Sequence, residues 1–242
     1  MGLESFGTGV RAAVFGASGG IGRAFVAALS EDAAVEAVHA VARRDPPAGE
    51  GVTPHALDVG DEAALAAAVE AMGPLHLAIC TIGMLHGEGV APEKTWRQLD
   101  AEAMTRVLRT NAVLPCLVAK HVLPALPKGR KGAFAALSAR VGSIGDNRLG
   151  GWLSYRASKA ALNQGIRTLS IELARRNPDA LIVGLHPGTV DTGLSEPFQA
   201  NVPEGQLLTP AESAARLLGV LDGIGPDRSG AVLDHRGETV PA

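Results

Sequence analysis

The chain contains a single tyrosine, Tyr155, and a lysine, Lys159, follows it four residues later. On a helix these two side chains share a face. A free phenol, with a pKa of about 10, keeps its proton at neutral pH, and a neighbouring ammonium favours the phenolate. Such a pair can deliver a proton to a carbonyl oxygen as hydride reaches the carbon, or remove one from an alcohol. Spacing alone would be weak support, because Tyr and Lys four apart are common on surface helices. Position strengthens it: the pair follows a short apolar run and a Gly-rich loop.

A second chemistry is written at Gly16–Gly22, G-A-S-G-G-I-G, with Gly16, Gly20 and Gly22 as G-x-x-x-G-x-G. A turn without Cβ atoms lets backbone amides approach a pyrophosphate, and a helix start behind it favours the anion. The turn follows an apolar run and opens a helical pattern, which marks a dinucleotide site. Its expected contacts are Gly16, Ser18, Gly19, Gly20, Ile21 and Gly22. The second apolar run ends V-A-R-R, so Arg43 and Arg44 stand where an acid would hold a ribose 2′-OH. Cations there suit a 2′-phosphate, so the expected cofactor is NADP(H), with NAD(H) as the alternative if the arginines are only a solvated loop. Asp58, followed by Val59, could accept from an adenine amino group or serve as a turn residue before the next helix.

These residues need elements to position them. Apolar runs at Arg11–Gly16, Val35–Ala42, Pro54–Asp58, Leu75–Cys80, Gly132–Ser138, Leu181–His186 and Ala231–Leu233 read as strands. Helical patterns lie between them at Ile21–Leu29, Asp61–Met72, Ala101–Leu123, Tyr155–Arg176 and Pro210–Leu221, with a kink expected at Pro115. Thr209 is the expected N-cap of the last helix, with Pro210 at its first position. Alternation of this kind predicts an α/β, Rossmann-type doubly wound parallel sheet. One domain is expected over residues 1–242, and every candidate site residue falls just after a strand, where such sheets bind ligands.

Composition narrows the classes. A net charge of −3 with scattered Lys and Arg gives no basic face for nucleic acid. Cys80 and Cys116 lie in apolar runs outside metal-ligand or C-x-x-C spacing, so buried, reduced thiols are expected and no metal. No apolar stretch approaches the ~18 residues of a membrane span, and the N-terminus lacks signal-peptide character. A soluble, cytoplasmic protein without membrane partners is expected.

Taken together, G-x-x-x-G-x-G, Asn111 in the long helical stretch, Y-x-x-x-K and P-G-T-V-D-T at Pro187–Thr192 resemble the short-chain dehydrogenase/reductase family in order and spacing, over nearly the whole chain. The run Gly150–Asn163, with V-G-S-I-G-D-N before it, resembles the branch holding C-factor-like signalling proteins and sniffer-type carbonyl reductases. The resemblance implies about seven parallel strands, Tyr155 as general acid/base, and Lys159 holding the ribose hydroxyls and lowering the tyrosine pKa. It also implies Asn111 anchoring a water, and Pro187, Gly188, Val190 and Thr192 lining the nicotinamide. The implied activity is reduction of a small-to-medium carbonyl, or the reverse, by a homodimer or homotetramer built on the two long helices.

Two departures stand out. After the fourth strand the chain reads C-T-I-G, keeping Gly83 without the family's usual Asn. The family's catalytic Ser closes the fifth strand, and here that position is Ala139 in S-A-R-V-G. Ser143 or Ser138 could supply the hydroxyl, and strand alternation favours Ser143. Met84, His86, Trp152, Leu194 and Phe198 are expected to line the substrate pocket, with Gly193–Leu208 as a lid. The altered Ser position favours a rival, a non-catalytic dinucleotide-binding regulator or cell-signalling protein, and an isomerase or dehydratase on the same scaffold is a third reading because fold does not fix chemistry.

Overall fold

The computed structural model describes residues 2–87, 89–203 and 205–242. Seven apolar runs pair as parallel strands: β1 (Val10–Phe15), β2 (Val35–Ala42), β3 (Val52–Ala56), β4 (Leu77–Cys80), β5 (Gly132–Leu137), β6 (Ala180–His186) and β9 (Val232–Asp234). Their order is β3-β2-β1-β4-β5-β6-β9. The chain therefore reverses direction across the sheet between β1 and β4, and a crevice opens outside the carboxyl ends of those strands. β4 and β5 are buried throughout, which is why they read as unbroken apolar runs rather than alternating ones.

Helices cover both faces. On one, Phe25 and Leu29 of α1 (Gly20–Ser30) meet Leu217 and Leu221 of α6 (Pro210–Gly223) over the strands. On the other, Leu65 and Met72 of α2 (Glu62–Met72) pack with Val118 of α4 (Leu114–Val122) and Leu162 of α5 (Leu153–Ala174). Each buried leucine of this kind contributes about 1.5–3 kcal/mol. Cys80 lies in this second cluster, where burial pushes its thiol up to about 12, and Cys116 is half-buried. Among the described residues no helix is long and apolar enough to cross a membrane.

Several boundaries differ from expectation for physical reasons. β3 ends at Ala56, so Asp58 stands in the following loop rather than on the strand. β3 is also an edge strand, where Pro54 costs no ladder bond. Asp61 is the N-cap of α2, its Oδ1 accepting from Ala64 N–H at 3.1 Å, and not the first helical residue. The Ala101–Leu123 stretch runs as α3 (Ala101–Leu108), a π-helical turn (Arg109–Val113) and α4. Pro115 has no N–H for the Asn111 carbonyl and its ring crowds that oxygen; Leu114 N–H instead reaches back five residues to the Arg109 carbonyl. A two-stranded ribbon, β7 (Thr189–Val190) with β8 (Leu207–Leu208), brackets residues 191–206 and was not expected. Thr209 caps α6 as expected, in a reciprocal box with Glu212 behind Pro210.

Candidate active site

A cleft of about 380 Å³ lies at the carboxyl ends of β1, β2 and β4. It gathers Gly16, Ser18, Gly19, Arg43, Arg44, Asp58, Val59 and Gly83 from four separate stretches of chain. Gly16 has φ 87°, and α1 begins at Gly20 without a side-chain acceptor at its cap, Gly19. The amides of Gly20, Ile21 and Gly22 therefore have no partner within the helix and form an anion seat. Arg43 and Arg44 are exposed at the rim, at the end of β2. This cradle, open backbone amides with two exposed cations beside it, fits a dinucleotide phosphate group. Asp58 Oδ1 accepts from Gly60 N–H at 2.8 Å, so one carboxylate oxygen serves the turn. Thr81, which the sequence reading passed over, lies under the glycine turn with Oγ1 3.0 Å from the carbonyl oxygens of both Phe15 and Gly16. It occupies the segment where the family's usual Asn is missing.

A Cβ on Gly22 would lie 2.3 Å from the Gly16 carbonyl oxygen and 3.0 Å from Ala17 Cα. Both are backbone atoms that cannot swing aside. Gly22→Ala is therefore expected to destabilise the fold by about 1–3 kcal/mol and to weaken dinucleotide binding at least about tenfold. Thermal unfolding with and without NADPH or NADH checks this; an undiminished ligand-induced rise in Tm would count against the cradle.

At the inner end of the cleft, Lys159 is buried on α5, and its Nζ donates to the Leu137 carbonyl at 2.8 Å. Nζ comes within 3.7 Å of where a Cβ on Gly83 would stand, which ties it to the cleft wall. Tyr155 lies one turn earlier, its ring centroid 5.8 Å from Nζ. Gly142 lets this face of α5 come close: a Cβ there would meet Lys159 Cβ at 2.7 Å and Lys159 C at 2.9 Å. Asn111 is buried in the π-helical turn. Its Oδ1 accepts from Met84 N–H at 2.7 Å, and its Nδ2 donates to the Met84 carbonyl at 2.8 Å and to Ser158 Oγ at 3.0 Å. Ser158 Oγ in turn donates to the Tyr155 carbonyl at 2.7 Å. The Asn111 side chain thus clamps the post-β4 loop to α5. The implied lowering of the tyrosine pKa by Lys159 is outweighed by burial, which pushes Tyr155 up to about 12 and Lys159 down to about 8.

The sequence profile of the short chain dehydrogenases matches residues 11–203. The chain belongs to the short-chain dehydrogenase family. It is 36% identical to the C-signal protein of Myxococcus xanthus over 59% of this chain and 81% of that protein. It is 36% identical to 1-hydroxy-2-glutathionyl-2-methyl-3-butene dehydrogenase of a Rhodococcus strain over 54% of this chain, but spans only 55% of that enzyme. The structure of NADPH-bound carbonyl reductase from chicken fatty liver superposes with a TM-score of 0.82 at 28% identity, covering 100% of this chain and 97% of the reductase. The chain is thus an oxidoreductase of this family, similar in sequence to the C-signal protein and in structure to that carbonyl reductase.

Against the family pattern, neither replacement serine joins the site. Ser138 Oγ donates to Asn163 Oδ1 at 2.6 Å, because the side chain faces α5 at the end of β5. Ser143 is buried, its Oγ 3.4 Å from the Ala242 carbonyl and accepting from Asp146 N–H at 3.1 Å. Both hydroxyls are committed to structure, and Ala139 remains without a substitute. Thr192 packs against Gly20, Gly188 turns the chain at φ 79°, and the Pro187 carbonyl accepts from Ser213 Oγ at 2.9 Å. Val190 is buried in β7. His86, Trp152 and Phe198 come together near Tyr155, Met84 lines the dinucleotide cleft, and Leu194 is exposed. Arg156 anchors the surrounding loops, donating to the Gly151 carbonyl at 3.0 Å and the Val141 carbonyl at 3.3 Å. No local pattern marks Arg156, since its partners are carbonyls.

Proposed function

We propose that this chain is an NADPH-dependent carbonyl reductase with Tyr155 as the proton donor. The observation that carries the reading is the meeting of Lys159, Asn111 and the Gly83 wall at one end of a glycine cradle whose other end holds Arg43 and Arg44. The arginines would take the 2′-phosphate, the amides of Gly20, Ile21 and Gly22 the pyrophosphate, and Lys159 the ribose hydroxyls. Asp58 and Val59 would flank the adenine, and Pro187, Gly188, Val190 and Thr192 the nicotinamide. When bound, the reduced nicotinamide supplies hydride to the carbonyl carbon.

Tyr155 then protonates the oxygen. Its phenol, held up to about 12 by burial, stays protonated throughout the neutral range, the form that donates a proton. With Ala139 beside the site, Tyr155 is the side-chain hydroxyl left to polarise the carbonyl. The substrate is a small-to-medium aldehyde or ketone. We place the protein in the cytoplasm, as a homodimer or homotetramer through α3–α4 and α5, where Val113 and Ile171 are exposed.

Ala139 favours one second reading, a regulator that binds the dinucleotide without turnover. NADPH oxidation measured across aldehydes, ketones and quinones separates the two. Turnover of any of them supports the reductase; tight NADPH binding with no turnover would establish the regulator.

A further inference from the structure

Trp152 has φ 54° and ψ 40°, a left-handed conformation that a bulky residue adopts only when its surroundings impose it. The surroundings are visible. Gly150 and Gly151 precede it at φ 65° each, and Trp152 N–H donates to the Glu93 carbonyl. The buried Glu93 carboxylate accepts from Ser154 N–H at 3.2 Å and from the Ser154 hydroxyl, capping α5 from a distant loop. The Trp152 side chain supplies no cap itself. Glycine would meet the backbone demand at this position without strain, so the helix start does not explain the indole.

What the strained backbone does is aim that ring. Its centroid is 6.3 Å from Tyr155 and 4.9 Å from Phe198, both in edge-on geometry. Phe198 lies 5.9 Å from His86, whose Nε2 is 2.9 Å from the Gly193 carbonyl oxygen. A ladder of rings thus runs from the catalytic phenol to the 191–206 segment. The chain has 5 Phe, 2 Trp and 1 Tyr. Phe6, Phe15, Phe25 and Phe134 are in the core and Trp96 is 74% exposed, so every remaining aromatic residue stands in this ladder.

We propose that Trp152 is a specificity-determining residue whose ring, held beside Tyr155 and covered by the edge of Phe198, favours carbonyls bearing a flat substituent. A planar group entering next to Tyr155 replaces the edge of Phe198 against the indole and keeps an aromatic contact. A puckered ring of equal carbon count presents hydrogens on both faces and makes a poorer contact with the indole. The inference rests on the reductase reading and adds the shape of its substrate.

The test compares kcat/KM for benzaldehyde and cyclohexanecarbaldehyde with NADPH in wild type, Trp152→Gly, Trp152→Ala and Trp152→Phe. Intrinsic reactivity cancels when the ratio of the two substrates is compared between proteins. The ratio is expected to fall about tenfold in the Gly and Ala variants and to be largely kept in the Phe variant. Trp152→Gly should also melt above Trp152→Ala, since the two lack the same ring and differ in tolerance of positive φ. In a Trp96→Phe background Trp152 is the sole tryptophan, and benzaldehyde should change its emission near KM while cyclohexanecarbaldehyde leaves it unchanged. A ratio within twofold of wild type in Trp152→Gly, or equal emission changes from both aldehydes, would overturn the proposal. Oxidation of NADPH with neither aldehyde nor any other carbonyl would instead remove the reductase reading beneath it.

Discussion

Tyr155→Phe is expected to lower carbonyl reduction about 10³-fold while leaving NADPH affinity within twofold of wild type. That loss corresponds to about 4 kcal/mol of transition-state stabilisation. The figure is about the middle of the range for a general acid, and the nearby hydroxyls do not compensate. Ser138 is held by Asn163, Ser143 faces Asp146 and the Ala242 carbonyl, and Ala139 has no hydroxyl. Affinity should survive because the phosphate seat is built from the β1–α1 turn, apart from the Tyr155 hydroxyl. Steady-state NADPH oxidation and a fluorescence titration of NADPH measure the two quantities. A variant keeping a tenth of wild-type activity would defeat the general-acid assignment.

The pH dependence follows from the same burial. Tyr155, near 12, keeps its proton until far above neutrality, so it sets no limb of the reductive profile below about pH 11. Lys159, near 8, loses its charge first. Reduction should hold a plateau below about pH 8 and decline above it. Stability runs the other way. Between about 8 and the ordinary 10.5 of lysine the unfolded chain binds a proton that the folded chain has released. The folded state therefore gains stability as pH rises through that window.

Local signals in the sequence were sufficient wherever the structure is locally determined. The glycine turn, the V-A-R-R strand end, the Thr209–Pro210 helix start and the strand–helix alternation each depend on neighbouring residues, and each stands where expected. Pro115 was legible as a break, but its consequence, a π-helical turn over Arg109–Val113, depends on where the broken bond falls. What could not be read is contact between distant segments. Glu93 caps Ser154 across 61 residues, and nothing in P-E-K-T announces it. The choice between Ser138 and Ser143 turned on which partners, Asn163 or the Ala242 carbonyl, packing would bring near. The direction of the Tyr155 shift also needed burial, which four-residue spacing does not report.

Removing both cations at the end of β2 is expected to erase a preference for NADPH. Arg43 and Arg44 stand at the cleft rim, exposed, on the chain that leaves β2 beside the glycine turn. A charge-assisted contact to a phosphate is among the stronger hydrogen bonds, yet solvent screens an exposed one. Each arginine should therefore account for about tenfold in NADPH affinity, and Arg43→Ala with Arg44→Ala for about 10²-fold. NADH lacks the 2′-phosphate, so its KM should move less than about twofold. Salt supplies an independent check: raising ionic strength should weaken NADPH binding in wild type and much less in the double variant, because screening acts on the charges removed. If the double variant keeps the wild-type ratio of NADPH to NADH efficiency, the arginines are a solvated loop. Specificity at the ribose would then fall to Arg109, which among the described residues also lines that cleft, beside Gly60.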